Sequence, residues 1–337
     1  MDKNAIKRCL SYAMLGDAIG FLVEGKPKAE VLRLQKILAT PNLHQQTQLF
    51  NSFPITDWIT QEPYTPGQIS DDSQSMLALV KAYSQQEISP QLALAQNLCH
   101  LFQTQQMVGY GHTSKDAMDH FHKHQNIETC GDPTRPTNGA AMRVAPLGIL
   151  FYNNPEMLVD ECINQAQITH KHPQAILASI ALATAVALAY QKKGDMRQYA
   201  QQMRHNFAIY AQKRNINTQH LETSEQILKT WCESQSPQKQ KDIILQIDKQ
   251  LNPKPTFHSE GLSCHAIPST FMSIYSYLQT KNSTIEACIS HAINLGGDTD
   301  TTACMAAAIF STSQSQQHFY TNWIHDRKQK VSLKTAM

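Results

Sequence analysis

The stretch ILASIALATAVALAY, Ile176–Tyr190, runs for fifteen residues without a charge. It is apolar on every face and rich in the helix formers leucine and alanine. A bilayer needs about 20 such residues, so this stretch is too short to span one. It reads as a helix buried on all sides within a helical protein. Outward from it, a period near 3.6 recurs in both directions. Helices are expected over 4–23, 27–38, 72–85, 90–106, 113–124, 139–151, 155–168, 173–192, 195–213, 222–234, 237–250, 266–280, 284–294, 301–312 and 315–327. Pro27, Pro90 and Pro173 each stand where a first helical residue would, and Ser89 precedes Pro90 as an N-cap. Strand signals are nearly absent. Asn138-Gly139 is a hairpin dipeptide, but helical patterns follow it. The fold class expected is all-α, one large helical bundle over residues 1–330 with a short C-terminal tail, 331–337. Segments 40–70 and 252–265 read as irregular, and long loops in a compact helical domain are often functional.

Composition narrows the classes. Charged residues make up 17% and the net charge is +2, against a usual charged share of about 25%. Thirty-five glutamines occupy polar faces that charges would otherwise hold. Basic and acidic residues are mixed, so no nucleic-acid surface is evident, and Arg327–Lys334 reads as a basic, solvated end. There are 13 glycines, with no GxGxxG and no GxxxxGK[ST]. The eight cysteines are scattered without a CxxC pair, which fits a reducing compartment. Lys3, Lys7 and Arg8 precede apolar residues, but Asp17 and Glu24 interrupt that run and no cleavage site follows. Neither a signal peptide nor a membrane span is expected, and a cytoplasmic location follows.

Two acidic clusters lie far apart in sequence. The first is Ser70-Asp71-Asp72-Ser73, the second Gly296-Gly297-Asp298-Thr299-Asp300-Thr301, and each stands where a loop runs into a helix. Either alone reads as N-capping. Together they exceed what two caps need, and four carboxylates in one place need cations between them. All-oxygen ligands suit Mg²⁺, Mn²⁺ or Ca²⁺. Three further elements accompany them. Gly16-Asp17-Ala18-Ile19-Gly20 puts an acid inside an apolar helix, which is costly unless that acid is paired or liganded, and Glu24 follows it. Asp17 could equally bond a neighbouring helix end. Asn138-Gly139-Ala140-Ala141-Met142-Arg143 permits close approach to a helix start, or is simply a small packing face. Thr169-His170 precedes the helix opened by Pro173.

The ordered set GDAIG (16–20), ISDDS (69–73), GYG (109–111), NGAAMRVAPLG (138–148), ITH (168–170) and GGDTDT (296–301) resembles the ADP-ribosylglycohydrolases. The likeness spans about residues 1–312. It implies an all-α orthogonal bundle with two Mg²⁺ or Mn²⁺ ions in a cleft. It also implies hydrolysis of the bond between ADP-ribose and an acceptor, with an ADP-ribosylated protein as substrate and ADP-ribose as product. By that resemblance Ser70, Asp71, Asp72, Asp298, Asp300 and Thr301 are metal ligands. Catalytic roles fall to Glu24, Asp72 and Asp298. Asp17, Gly109, Tyr110, Gly111, Asn138, Gly139, Met142 and His170 surround the ligand. Ser70 and Ser73 stand where the family usually carries threonine. A monomer is expected.

The acceptor expected first is a protein arginine side chain; serine linkages and small ADP-ribose conjugates are alternatives. A non-catalytic ADP-ribose binder on the same scaffold is another reading, disfavoured by the complete acidic set. A metal phosphohydrolase built on His325-Asp326 is a third, but companion histidines at suitable spacing are not clear. Eleven of the 13 glycines lie in or beside these motifs. They are expected to serve close approach of backbone to ligand or metal, Gly148 being the best candidate for plain helix packing.

Overall fold

The computed structural model describes residues 2–40, 43–56, 61, 63–252, 261–313, 323–326 and 331–332. Among them the helices are α1 (Lys3–Gly20), α2 (Lys28–Leu38), α3 (Leu43–Phe50), α4 (Asp71–Ser84), α5 (Pro90–Gln103), α6 (His112–His124), α7 (Ile127–Cys130) and α8 (Ala145–Leu150). They continue with α9 (Pro155–Gln167), α10 (Pro173–Tyr190), α11 (Met196–Arg214), α12 (Glu222–Glu233), α13 (Pro237–Leu251), α14 (Ala266–Thr280), α15 (Ile285–Ala292) and α16 (Thr299–Ser313). The protein is all-α, as expected. Two minimal antiparallel pairs are the only strands among the described residues: β1 (Ile55–Thr56) with β2 (Pro63–Tyr64), and β3 (His325–Asp326) with β4 (Val331–Ser332).

Helix α10 is the centre. His172 caps its N-terminus, with the imidazole accepting from the Gln174 N–H, and Pro173 opens the first turn. Every residue from Gln174 to Ala189 is buried, against α8, α9, α11, α14 and α16. By length and apolarity alone this helix could cross a bilayer, yet 89% of it is buried inside the protein. The uncharged stretch therefore marks a core helix.

The closest helix pair is α1 on α16. A Cβ at position 16 would lie 2.2 Å from the Ala303 carbonyl oxygen, and one at position 20 would lie 2.3 Å from that of Thr299. The two glycines, four apart, leave a flat strip on which the α16 backbone rests. Thr299 Oγ1 then donates to the Gly20 carbonyl at 2.8 Å. The glycines of the GDAIG motif thus serve helix packing rather than contact with a ligand, which corrects the reading of glycine placement.

Other boundaries also move. The expected helix 139–151 is instead a 3₁₀ turn, Asn138–Ala140, then irregular turns, then α8. Pro146 is the reason: it cannot continue a helix but fits a first turn, where α8 begins. Segment 40–70, expected to be irregular, contains α3 and the β1–β2 pair. The expected helix 315–327 lies largely outside the described residues, and its described part holds β3. Most of segment 252–265, and residues 333–337 of the tail, also lie outside them.

Alanine at position 16 or 20 is expected to force α1 and α16 apart. The loss should be about 1–3 kcal/mol or more per site, the usual range for overpacking. Thermal unfolding of G16A and G20A measures it, and unchanged midpoints would contradict the packing described.

Candidate active site

Between the two packing glycines sits Asp17, fully buried. Both of its carboxylate oxygens accept from the Ser70 N–H at 3.0 Å, and Oδ2 also accepts from the Ser73 N–H at 3.1 Å. Helix α1 thereby supplies the cap for the first turn of α4, satisfying donors that a helix start leaves open. Burial pushes the Asp17 carboxyl up to about 6, against the pull of these hydrogen bonds. Ser70 is the N-cap of α4 itself. Its Oγ accepts from the Asp72 N–H at 3.3 Å and donates to Asp72 Oδ2 at 3.1 Å.

The second acidic cluster arrives through Gly296 and Gly297, with φ of 71° and 81°, a region closed to most side chains. Their turn is pinned to the segment after α13: Leu262 N–H donates to the Gly296 carbonyl and Asp298 N–H to the Leu262 carbonyl, both at 3.1 Å. Gly25 N–H donates to the Gly297 carbonyl at 3.0 Å, drawing Glu24 alongside. Carboxylate oxygens of Glu24, Asp298 and Asp300 lie within 4.8 Å of one another. The two clusters join where Thr301 Oγ1 donates to Asp72 Oδ2 at 3.2 Å. Asn138 Nδ2 donates to Asp298 Oδ2 at 2.6 Å.

Burial pushes Asp71, Asp72 and Asp300 well above the ordinary carboxylate range, and the neighbouring acids push them further. Asp71 feels Asp17 and Asp298, Asp72 feels Asp71, and Asp300 feels Glu24. Among the described residues no lysine or arginine forms an ion pair with Asp71, Asp72, Asp298 or Asp300. Asp72 Oδ1 is buried with no hydrogen-bond partner. Only the buried Arg143 charge acts on the set at longer range, on Asp71, and an orphaned acceptor within an all-oxygen acidic set fits hard divalent cations.

These groups open onto a cavity of about 370 Å³. Of the residues expected at the site, Glu24, Asp71, Asp72, Gly109, Gly111, Asn138, Gly139, Met142, His170, Asp298, Asp300 and Thr301 line it. Three do not. Ser70 stands behind Asp72, Asp17 lies beneath the α4 start, and Tyr110 packs edge-on against Phe102 with ring centres 5.0 Å apart. The wall further includes His112, Thr113, Ser114, Arg135, Thr137 and Cys264. None of these six was singled out from the sequence. The available signal was helix α6, which starts at a glycine with no side-chain cap and carries Thr113 and Ser114 in its first turn. Cys264 comes from segment 252–265, whose irregular reading pointed to function. A wider groove of about 780 Å³ between α2 and α15 carries one acid, Glu286. It has no comparable cluster, so the chemistry favours the smaller cavity. His325 and Asp326 are engaged elsewhere, with Thr65 and Gln74, which leaves no support for a histidine-aspartate metal motif.

Comparison with known proteins bears on the family and the fold. The sequence profile of the family described as ADP-ribosylglycohydrolase matches residues 2–329. The ADP-ribosyl-[dinitrogen reductase] glycohydrolase of Rhodospirillum rubrum is 23% identical, over 94% of this chain and 88% of its own length. The ADP-ribosylhydrolase ARH3 of Mus musculus is 23% identical, over 95% of this chain and 87% of its own. A solved structure, an ADP-ribosylglycohydrolase-related protein complex, superposes with a TM-score of 0.61 at 17% identity, covering 99% of this chain and 98% of the other.

A carboxyl raised by burial is stabilising when protonated, and that contribution is lost as pH rises through its folded-state value. Metal-free D72N is therefore expected to gain stability over the wild-type chain as pH rises from about 4 to 8. Mn²⁺ should stabilise the wild type at pH 8 and the variant far less. Calorimetric midpoints across this range check both, and a D72N advantage that shrinks with pH would contradict the electrostatics.

Proposed function

This chain belongs to the ADP-ribosylglycohydrolase family, and on that footing we propose that it hydrolyses the glycosidic bond between ADP-ribose and a modified protein side chain. Arginine is the acceptor preferred, on likeness to the bacterial glycohydrolase. The observation that carries the reading is the meeting of Asp71 and Asp72 with Asp298 and Asp300 in one cavity, Glu24 alongside.

Cleavage at the anomeric carbon passes through an oxocarbenium-like transition state, so negative charge around the ribose lowers its energy. The acidic wall supplies that charge from fixed positions, without reorganisation during the reaction. Asp71, Asp72, Asp298, Asp300 and Thr301, which line the cavity, would hold two Mg²⁺ or Mn²⁺ ions, with Ser70 steadying Asp72 from behind. Such ions supply charge that offsets the carboxylates and Lewis acidity toward ribose oxygens. Asp298 is oriented by the Asn138 amide, which holds one of its oxygens, and its carboxylate is available to take a proton from water. Glu24, at the half-buried edge of the cavity, and Asp72 are the other carboxylates placed for proton transfer. Gly109, Gly111, Asn138, Gly139 and Met142 line the same cavity, and the rest of ADP-ribose would lie against them.

The test is ADP-ribose release from arginine-, serine- and glutamate-linked ADP-ribosyl peptides, with and without EDTA. Turnover of the arginine peptide is expected, with loss on chelation and recovery on adding Mg²⁺ or Mn²⁺. D71N and D72N should each lower kcat/KM on the order of 10²-fold or more. Undiminished turnover by these variants, or release of phosphate in place of ADP-ribose, would overturn the proposal.

A further inference from the structure

A chain of hydrogen-bonded groups, buried but for the half-buried Thr137, runs along the cavity wall. Arg143, fully buried, donates from Nη2 to Thr169 Oγ1 at 2.8 Å. Thr169 Oγ1 lies 2.7 Å from His170 Nδ1. His170 Nε2 lies 2.9 Å from Thr137 Oγ1, and Thr137 Oγ1 lies 3.2 Å from Thr113 Oγ1. Thr113, on the first turn of α6, lines the cavity.

The direction of this chain follows from its end. A guanidinium can only donate, so Thr169 Oγ1 accepts from it. The Thr169 hydroxyl proton then has one acceptor within reach, His170 Nδ1. The arrangement that gives this buried proton an acceptor leaves Nδ1 bare and puts the ring proton on Nε2. Nε2–H donates to Thr137 Oγ1, whose own proton passes to Thr113 Oγ1. Among the described residues the Thr113 proton meets no acceptor once Thr137 has donated to it. Burial and the Arg143 charge hold the imidazole down at about 3, so the ring is neutral at physiological pH.

We infer that His170 is a positioning residue, held as the Nε2–H tautomer in a one-way relay from Arg143 that turns the Thr113 hydroxyl proton toward the cavity. Resting on the function proposed above, its partner is an acceptor oxygen of the ADP-ribose diphosphate. The lining agrees: among the described residues the Ser114 hydroxyl, 8% exposed, and Arg135 Nη1 make no hydrogen bond, while Arg135 Nε and Nη2 are held by Asp132 and Asp116. These groups add donors to a cavity that also offers carboxylate acceptors.

Two measurements test this. The first needs no ligand: ¹⁵N-histidine NMR of the full chain, with His170 assigned from an H170Q variant. A neutral ring protonated on Nε2, unchanged from pH 5 to 9, is expected. A ring protonated on Nδ1, or a titrating ring, overturns the relay. The second is calorimetric binding of ADP-ribose. T113V should weaken it about tenfold, as for loss of a hydrogen bond to a charged group, with T113S near wild type. T169V should weaken it in the same direction and move the His170 resonances. Unchanged affinity in T113V overturns the role of Thr113. Failure of the wild-type chain to bind ADP-ribose overturns the assigned ligand and the function it rests on, while the tautomer still stands or falls on the NMR result alone.

Discussion

Helix α1 lies on α16 with backbone against backbone, and it can do so only because residues 16 and 20 have no side chains. The remainder of the site hangs on that contact. Asp17 projects from the same turn of α1 and takes the N–H groups of Ser70 and Ser73, which fixes where α4 begins. Helix α16 begins beside Gly20, tied there by Thr299. Two helix starts, each bearing paired acids, are thus held at one place by a third helix that contributes no metal-facing acid in its packed turns.

Gathering these acids costs stability. They are buried, they repel one another, and no lysine or arginine among the described residues pairs with them. A fold that keeps such an arrangement needs a compensating charge. Interior packing around α10 is large enough to carry a local penalty of this kind. The outcome is a cavity lined by carboxylates together with hydroxyl, amide and guanidinium donors.

Much of this was readable in the sequence. The uncharged stretch 176–190 announced a core helix, and the two acidic clusters announced a site, because both are local patterns of residue type. What was hidden depends on tertiary neighbours. Asp17 read either as a ligand-facing acid or as a bond to a neighbouring helix end, and only the position of Ser70 decides for the second. Gly16 and Gly20 read as motif glycines, and their packing role becomes visible only with Ala303 and Thr299 in place. Thr113, Thr137 and Arg135 carry no motif at all. Their participation arises because the loop before α8 lies across the start of α6. The helix over 139–151 does not form for a local reason, since Pro146 cannot continue it and instead opens α8.

The central claim is that the carboxylates of α4 and α16 act as one cation-holding unit. The most direct measurement is Mn²⁺ stoichiometry by equilibrium dialysis, with the electron paramagnetic resonance spectrum of the bound ions. The account predicts two Mn²⁺ per chain with the spectrum of a spin-coupled pair, and loss of that coupling when either Asp72 or Asp300 is changed to asparagine. A chain that binds no Mn²⁺, or binds ions that remain uncoupled and indifferent to both substitutions, would contradict it.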